Sequence, residues 1–335
     1  MKFGPVPVAE AEGAYLAHGR VASDPANPES LVYTIPKGTR LTAQHLDDLT
    51  KNDVTDVIVA RLEPGDLHED EAAARIAAAL CGPGLEAGEA ATGRVNLRAT
   101  SSGIVVVDAA AIDVINRINP AITVATVPEW ARLGPRGLAV TVKIIPFAAP
   151  EQDVEEACTR GAGAVRLLEG QIASASLIET SVDAAEPSDK GRRSVKGRLD
   201  QFSVLLSERV VVRHRAEMLA KALTDAPGEL LLILTGSATS DGEDVAPAAV
   251  RAAGGEVLHY GMPVDPGNLL FLGRIGERPV IGLPGCARSP ALNGADWVME
   301  RVICGVPLEQ IDIAGMGVGG LLKEIPSRPR PRDAQ

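Results

Sequence analysis

Aromatic residues are scarce in this chain: Phe, Trp and Tyr make up only 3% of its 335 residues. Hydrophobic residues still account for 45% of the sequence, so its interior must be built from Ala, Val, Leu and Ile. A chain of this length has enough residues for two or three domains, each with a core of its own.

Positive charge and paired cysteines are also lacking. The formal net charge of -11 argues against the basic surface that nonspecific nucleic-acid binding requires, and it disfavours binding to an anionic membrane. The four cysteines, Cys81, Cys158, Cys286 and Cys304, form no CxxC pair, so neither a zinc site nor a redox dithiol is expected. Free thiols are typical of a reducing cytoplasm.

Long apolar runs are absent as well, since none reaches the roughly 20 residues that cross a bilayer. The first residues, MKFGPVPVAEAEG, lack the basic region and apolar core of a signal peptide. We therefore expect a soluble cytoplasmic protein that binds neither nucleic acid nor membrane.

The most informative stretch begins with an unbroken apolar run, Leu231–Leu234, which predicts a strand buried on both faces. It continues into a loop that starts with Thr235-Gly236-Ser237 and ends at the acidic residue Asp244. Pro247 then suits the first turn of a helix.

A second junction of this kind follows. Two apolar runs, Leu269–Arg274 and Pro279–Leu283, flank Gly276-Glu277, which predicts a hairpin. Pro284-Gly285 then turns the chain into a final helix, predicted at Arg288–Ile303.

Both junctions are candidate anion sites, because a helix N-terminus presents free N–H groups and the positive end of its dipole. Small residues let a ligand approach the backbone closely. In an open α/β sheet such loops gather at the carboxyl ends of the strands. The simpler interpretation of either loop alone is an ordinary turn.

Together, these motifs resemble the molybdopterin-binding domain of molybdenum cofactor biosynthesis proteins, a family that includes molybdopterin molybdotransferase and molybdopterin adenylyltransferase. The loop from Thr235 is similar to the glycine-rich loop of that family, and Asp244-Val245-Ala246-Pro247 resembles the adenylyltransferase pattern. Pro266-Gly267, Gly273-Arg274 and Gly282-Leu283-Pro284-Gly285 resemble molybdotransferase motifs. The resemblance covers most of the second half of the chain.

Three positions depart from the family pattern. Ser237 replaces the second loop glycine, Asn268 stands where the molybdotransferases carry a lysine, and Cys286 replaces an asparagine. Losing the lysine removes a cation suited to an anionic ligand. The resemblance therefore implies pterin binding more strongly than any one catalytic step.

The implied ligand is molybdopterin or its adenylate, a pterin phosphate. The residues expected to bind it are Thr235, Gly236, Ser237, Ala238, Asp241, Pro266, Gly267, Gly282, Pro284, Gly285, Arg288 and Ser289. Asp244 is the candidate catalytic residue and a candidate ligand of Mg²⁺, because three loop carboxylates (Asp241, Glu243 and Asp244) would repel an anionic ligand without a cation. The alternative is that Asp244 caps the following helix.

The order of predicted strands and helices in the second half fits an α/β domain with a doubly wound, mostly parallel sheet of the Rossmann-like, molybdopterin-binding type. We expect this domain at residues 151–335. It follows a mixed α+β region at residues 1–150, which holds one or two small subdomains.

The first half contains two further motifs. Thr42 is predicted to cap a helix that includes Gln44–Leu49, and the segments KGTRLTAQHLDDL and DVIVARL resemble a short molybdotransferase module. The string GDLHEDEAA is similar to one in bacterial proteins that carry this kind of N-terminal half. In it, Asp66, His68 and Glu69 form a candidate second site, which could reach a ligand directly or through Mg²⁺. The alternative is that acidic residues here favour the N-terminal dipole of an alanine-rich helix.

Other charged residues each allow two interpretations. Lys143 and Arg94 are either exposed strand residues or cations that face a substrate phosphate. The polar segment Asp183–Arg198 is predicted to be a mobile loop, whose basic residues either attract a phosphate or only keep the surface soluble.

Two classes of function remain open. One is a transferase-like step of cofactor synthesis, in which the protein assists molybdate insertion or nucleotide transfer on molybdopterin. The other is a noncatalytic carrier, storage protein or sensor of the cofactor; a small-nucleotide hydrolase on the same fold is a more distant alternative. The resemblance also implies a homo-oligomer, a dimer or trimer, with molybdoenzymes or other cofactor-synthesis proteins as further partners.

Overall fold

The computed structural model describes residues 1–22, 33–183, 185–308 and 310–322, and the chain divides into two units. The first comprises Met1–Thr100 with Val105–Leu167, and the second comprises Ser101–Ile104 with Leu168–Gln335. This division assigns residues 151–167 to the first unit. The expected domain boundary between residues 150 and 151 stays a prediction.

The first unit is built from short strands and a few helices. Its helices are α1 (Ala43–Lys51), α2 (Glu69–Leu80), α3 (Ala109–Ile118) and α4 (Glu151–Arg160). Its strands are β1 (Lys2–Pro7), β2 (Tyr15–Leu16), β3 (Arg20–Ala22), β4 (Tyr33–Ile35), β5 (Asp56–Arg61), β6 (Asp66–His68), β7 (Leu85–Ala87), β8 (Arg94–Ala99), β9 (Gly103–Val107), β10 (Ile122–Thr126), β11 (Arg132–Leu133), β12 (Leu138–Ile144), β13 (Ala148–Pro150) and β14 (Val165–Glu169). Strands β9 and β14 each cross a boundary between the units.

These strands form several small sheets, in the orders β1-β5-β2, β10-β12-β8-β7, β11-β9-β14, β13-β6 and β3-β4. The largest core of the unit packs α2 against β8 and β12 and includes Ile76, Leu97 and Val142. From Val140 to Ile144, buried residues of β12 alternate with partly exposed ones, as in a strand with one face on the core. The mixed α+β character predicted for this region is present.

The predicted cap of α1 is confirmed. The Thr42 hydroxyl accepts a hydrogen bond from the His45 N–H at 3.4 Å, and the Thr42 N–H donates to His45 Nδ1 at 3.2 Å. These reciprocal bonds satisfy two N–H groups that a helix start leaves without backbone partners.

The second unit contains longer strands and one larger sheet. Its helices are α5 (Lys190–Asp200), α6 (Ala216–Asp225), α7 (Val245–Ala252), α8 (Gly294–Ile303) and α9 (Gln310–Ala314). Its strands are β15 (Ser174–Ser181), β16 (Leu205–Leu206), β17 (Val210–Arg213), β18 (Leu230–Leu234), β19 (Glu256–Tyr260), β20 (Phe271–Ile275) and β21 (Arg278–Gly282).

The sheet of this unit is mixed and has seven strands, in the order β16-β15-β18-β21-β20-β19, with β17 also paired to β15. Strand β15 pairs in parallel with β16, β17 and β18, and β18 pairs in parallel with β21. The predicted hairpin of β20 and β21 is antiparallel, as is the β19–β20 pair. A mixed α/β architecture is therefore confirmed, whereas the doubly wound arrangement stays a prediction. In the described part of the chain, no helix combines the length and apolar composition needed to cross a membrane.

Strand β18 is buried along its whole length, as its unbroken apolar run predicts. Leu231 and Ile233 pack in one cluster with residues of α6 and α7, including Leu219 and Val250. The carboxyl end of β18 is thus anchored in a rigid core, immediately before the loop that begins at Thr235.

One loop prediction in this unit was wrong. The segment Asp183–Arg198 is not simply a polar loop, because α5 occupies its second half. Its apolar residues Val195 and Leu199 are four positions apart and fully buried, so they lie on one helix face.

The last long helix also begins later than predicted. Gly285–Arg288 forms a 3₁₀ turn, and α8 starts only at Gly294. Asn293 caps α8: its side chain accepts a hydrogen bond from the Ala295 N–H at 3.0 Å, and its own N–H donates to Asp296 Oδ2 at 2.8 Å. The Pro284 turn therefore does not lead directly into α8.

Arg198, at the end of α5, makes the most extensive polar contacts in this region. Its Nε donates to Asp296 Oδ1 at 2.6 Å, and both side chains are largely buried. Its Nη1 and Nη2 donate to carbonyl groups of the segment between β21 and α8, namely those of Ala287 at 3.1 Å, Ser289 at 2.8 Å and Ala291 at 3.1 Å. One guanidinium therefore holds this irregular segment against α5 and α8.

Replacing Arg198 with Met should destabilise the second unit strongly. Removing one partner of a buried ion pair leaves the other charge uncompensated, which costs about 3–5 kcal/mol. Urea denaturation would measure the loss of unfolding free energy. The double variant Arg198→Met/Asp296→Asn should recover part of it, because the buried charge is then gone.

The matched control is Lys196→Met on the same helix. Lys196 forms an exposed pair with Asp200, and such pairs contribute about 0.3–0.5 kcal/mol. A loss in Arg198→Met no larger than in this control would contradict the role assigned to Arg198.

Candidate functional site

The Thr235 loop (residues 235–244) and the Pro284 turn (residues 283–289) lie at the same edge of the sheet. They follow β18 and β21, which are neighbouring parallel strands. The Leu283 N–H donates to the Ile233 carbonyl at 2.8 Å, and Arg288 Nη2 donates to the Thr235 carbonyl at 2.6 Å. The structure thus brings together two segments that are about fifty residues apart in sequence.

The tip of the Thr235 loop presents its backbone to solvent. Gly236, Ser237 and Ala238 are exposed, and the Gly236 N–H donates to Thr180 Oγ1 at 2.9 Å. Within the described residues, no group accepts a hydrogen bond from the N–H of Ser237 or Ala238. A Cβ at Gly236 would lie 2.7 Å from the Thr180 carbonyl, so this position requires glycine. The Ser237 and Ala238 N–H groups are therefore unpaired in the described part of the chain, whereas binding of an anion by this loop stays a prediction.

Several other predicted binding residues have structural partners instead. Thr235 is only 6% exposed, and Gly282 lies directly beneath the Phe271 ring, where a side chain would overlap it. Pro284 is buried, whereas Gly285 is exposed. Only the last of these four positions presents its backbone freely to a ligand.

Pro266-Gly267 and Ser289 are engaged with other parts of the fold. The Pro266 carbonyl accepts a hydrogen bond from the Gly294 N–H at 2.8 Å, and a Cβ on Gly267 would meet the same group at 2.7 Å. The carbonyl of Ser289 accepts from Arg198. These contacts place Pro266-Gly267 at the start of α8, and they do not join it to the Thr235 loop.

Asp244 has the position of a helix cap. Its Oδ1 accepts a hydrogen bond from the Val245 N–H at 2.7 Å, and its Oδ2 accepts from the Ser240 N–H at 3.0 Å. This geometry corresponds to the alternative interpretation of Asp244, in which the carboxylate closes the loop and begins α7.

The loop carboxylates do not form a ready site for Mg²⁺. Asp241 Oδ1 accepts from the Glu243 N–H at 2.7 Å, and Glu243 pairs with Arg251 at 3.0 Å. Over residues 1–22, 33–183, 185–308 and 310–322, no group of three or more His, Cys, Asp and Glu side chains is placed to hold a metal ion.

Two polar contacts behind this edge were not predicted from the sequence. Glu179, only 2% exposed, pairs with Arg209 at 2.8 Å, and this hydrogen-bonded pair raises the pKa of Arg209. The Thr180 hydroxyl lies 2.8 Å from His214 Nδ1. Glu179 and Thr180 both belong to β15, whose sequence SASLIETS mixes polar and apolar residues, so no clear signal in the sequence indicated these two contacts. They fix the end of β15 beside the Thr235 loop.

Two titratable groups near the loops are held in their neutral forms. Burial, with the Asp241 and Asp244 carboxylates, raises the pKa of Tyr260, whose hydroxyl donates to the Thr239 carbonyl at 3.1 Å. Burial also raises the pKa of the Cys286 thiol. Cys286 is therefore protonated near neutral pH and is not an activated nucleophile.

The candidate second site is only partly assembled. Asp66 lies 2.6 Å from the N-terminal amine of Met1. Burial opposes ionisation of Asp66, but hydrogen bonds from this amine and from the Glu63 N–H keep its pKa below the usual value. His68 and Glu69 instead line a cavity of about 370 Å³, together with Lys37 and Lys143. Arg94 lies on β8 and is exposed.

Glu69 should make stability depend on pH. Its burial raises the pKa of its carboxyl group, although Lys143 opposes this. The folded state then binds the proton more tightly than the unfolded state, so this contribution is full below the unfolded pKa and lost as pH rises through the folded pKa. Relative to Glu69→Gln, the wild type should therefore be most stable at acidic pH. Urea denaturation across pH would measure this, with the exposed Glu71→Gln as control; equal pH dependence of all three proteins would refute it.

Comparisons with known proteins find similarity only to solved structures. No family model matches the chain, and no curated protein matches its sequence. The chain is similar to the molybdopterin biosynthesis MoeA protein from Pyrococcus horikosii, at 13% identity and a TM-score of 0.27, over 94% of this chain and 76% of the other. It is also similar to a molybdenum cofactor biosynthesis protein from Pyrococcus furiosus, at 14% identity and a TM-score of 0.23, over 94% of this chain and 65% of the other.

Proposed function

We propose that this chain binds a phosphorylated pterin of the molybdopterin type and serves in molybdenum cofactor biosynthesis. The observation that carries the proposal is the contact between the two loops that resemble that family. They leave neighbouring parallel strands, and Arg288 of the Pro284 turn hydrogen-bonds to Thr235 of the other loop. Two resembling motifs are thus parts of one surface.

The chemistry of this surface suits an anion. The exposed N–H groups of Ser237 and Ala238 are oriented donors, and the Arg288 guanidinium adds a fixed positive charge beside Gly285. Backbone amides with an arginine are a common combination for binding phosphate. The chain as a whole is acidic, so a phosphate is expected to bind through these local donors.

Binding without turnover is the second candidate function. Both carboxylate oxygens of Asp244 accept backbone hydrogen bonds, and Asn268 replaces the lysine of the resembling transferases. These two features favour a carrier, storage protein or sensor. An assay with molybdopterin, molybdate and ATP separates the two: AMP release or molybdate loading supports a transferase-like enzyme, and tight binding alone supports the carrier.

Gly285→Ala tests the site with little disturbance to the fold. The new Cβ would meet only Arg288 Nη1, at 3.6 Å, so folding should be unchanged. If a ligand packs against this turn, the added methyl group should weaken binding by about tenfold, equivalent to roughly 1.4 kcal/mol. Equilibrium titration with molybdopterin under anaerobic conditions measures the effect.

The matched control is Gly134→Ala, where a Cβ meets nothing within 4 Å. It should bind molybdopterin as the wild type does. The proposed function fails if the wild type shows no saturable binding, or if Gly285→Ala and Gly134→Ala bind equally well.

Asp244 variants separate its capping role from a catalytic one. Asp244→Ala should reduce the unfolding free energy by about 1 kcal/mol, because a cap is lost, whereas Asp244→Asn should cost little since Asn is also a good cap. Urea denaturation and molybdopterin titration of both variants provide the test. Wild-type stability of Asp244→Ala would exclude the capping role, and turnover lost in a stable Asp244→Asn would restore the catalytic one.

A further inference from the structure

The cavity that His68 and Glu69 line, in the first unit, is not used by the proposed function. It has a volume of about 370 Å³ and is lined by Lys37, His68, Glu69 and Lys143, with apolar walls from Ile145 and Pro146. This volume falls within the roughly 300–1,000 Å³ of small-molecule sites.

Glu69 is the most unusual of these residues. It is the first residue of α2 and is only 9% exposed, yet within the described part of the chain no group donates a hydrogen bond to its carboxylate. The nearest cation, Lys143 Nζ, lies 3.8 Å from Oε2. Its oxygens are not sealed from solvent, so they can accept hydrogen bonds from a molecule that enters the cavity.

The surrounding backbone holds Glu69 in this position. Its N–H donates to the Phe147 carbonyl at 2.9 Å. Gly93 has a positive φ of 71°, and a Cβ there would lie only 2.5 Å from Glu69 Oε2. The neighbouring Asp70 is engaged elsewhere, because its Oδ1 accepts from the Gly93 N–H at 2.6 Å. The glycine therefore makes room for the Glu69 carboxylate at the cavity wall.

Two ammonium groups complete the lining. Lys143 donates to the Thr92 carbonyl, and Lys37 lies 5.4 Å from the centre of the Phe147 ring. Both positive charges oppose the burial that raises the pKa of Glu69, so both lie near it. Within the described residues, no carboxylate is within ion-pair distance of Lys37. Its charge is thus available to an incoming anion.

We propose that this cavity is a second small-molecule site, which binds a phosphorylated molecule whose body carries ring N–H donors. Lys37 and Lys143 hold the phosphate, Glu69 accepts the N–H groups, and the Ile145 and Pro146 walls contact the apolar body. A carboxylate can accept hydrogen bonds from two adjacent N–H groups of one ring, in the same paired geometry as when it accepts from an Arg side chain. The residues of this site belong to the first unit, whereas the Thr235 loop and the Pro284 turn belong to the second.

Guanosine 5′-monophosphate, inosine 5′-monophosphate and inorganic phosphate serve as probes of the full chain by calorimetric titration. The two nucleotides differ by one amino group, so Glu69 should favour the guanosine compound. Lys37→Gln should weaken the binding of both nucleotides by about tenfold, which is the effect of losing one charge-assisted hydrogen bond. Lys51→Gln, an exposed lysine of the same unit, is the control and should bind as the wild type does.

Glu69→Gln should change the affinities for the probes in opposite directions. It should abolish the preference for guanosine over inosine monophosphate, and it should strengthen binding of inorganic phosphate because a like charge is gone. Gly285→Ala should leave all three probes unaffected, so failure here is distinguishable from failure of the pterin site. The proposal is overturned if no probe binds saturably, or if Lys37→Gln and Glu69→Gln both bind as the wild type does.

Discussion

The buried Arg198 guanidinium makes the contacts on which the surface formed by the Thr235 loop and the Pro284 turn depends. It joins α5 and α8 through Asp296 and holds the carbonyl groups of Ala287, Ser289 and Ala291. That segment has no regular secondary structure beyond one 3₁₀ turn, so few backbone bonds of its own define its path. A guanidinium has five donors in a rigid plane, which lets one side chain fix several carbonyl groups at once. Arg288 can then reach Thr235 from a fixed base.

The sheet supplies the second requirement. Strands β15, β18 and β21 are neighbours with parallel pairing, so their carboxyl ends meet at one edge. Thr180 at the end of β15 accepts from Gly236, and Arg288 after β21 donates to Thr235. The central loop is thus bonded from both sides, while its tip stays open to solvent. Rigid support around exposed donors is the arrangement that favours ligand binding without large reorganisation.

The sequence predicted the elements whose signals are local. The apolar run of β18, the β20–β21 hairpin and the Thr42 cap each depend on a few adjacent residues, and all are present. The prediction for residues 183–198 was wrong because their many charged residues and glycines obscured the helical spacing of Val195 and Leu199. Long-range partners were beyond sequence reasoning: nothing local indicates that Arg198 meets Asp296, ninety-eight positions away. The cavity around Glu69 was only partly predictable, since its motif was visible but Lys37 and Gly93 come from other segments.

Gly282 bears on how the motif from Gly282 to Gly285 should be understood. The Phe271 ring occupies the space that any larger residue would need at this position, and Phe271 is fully buried. The opening glycine of the motif is therefore dictated by the contact between the two hairpin strands, whereas the exposed closing glycine is not. A chain of this fold could lose its ligand and still retain half of the motif. In other chains of this fold, a glycine at the position of Gly282 would indicate only that the hairpin packs in the same way. A glycine at the position of Gly285 would be the one that is informative about ligand binding.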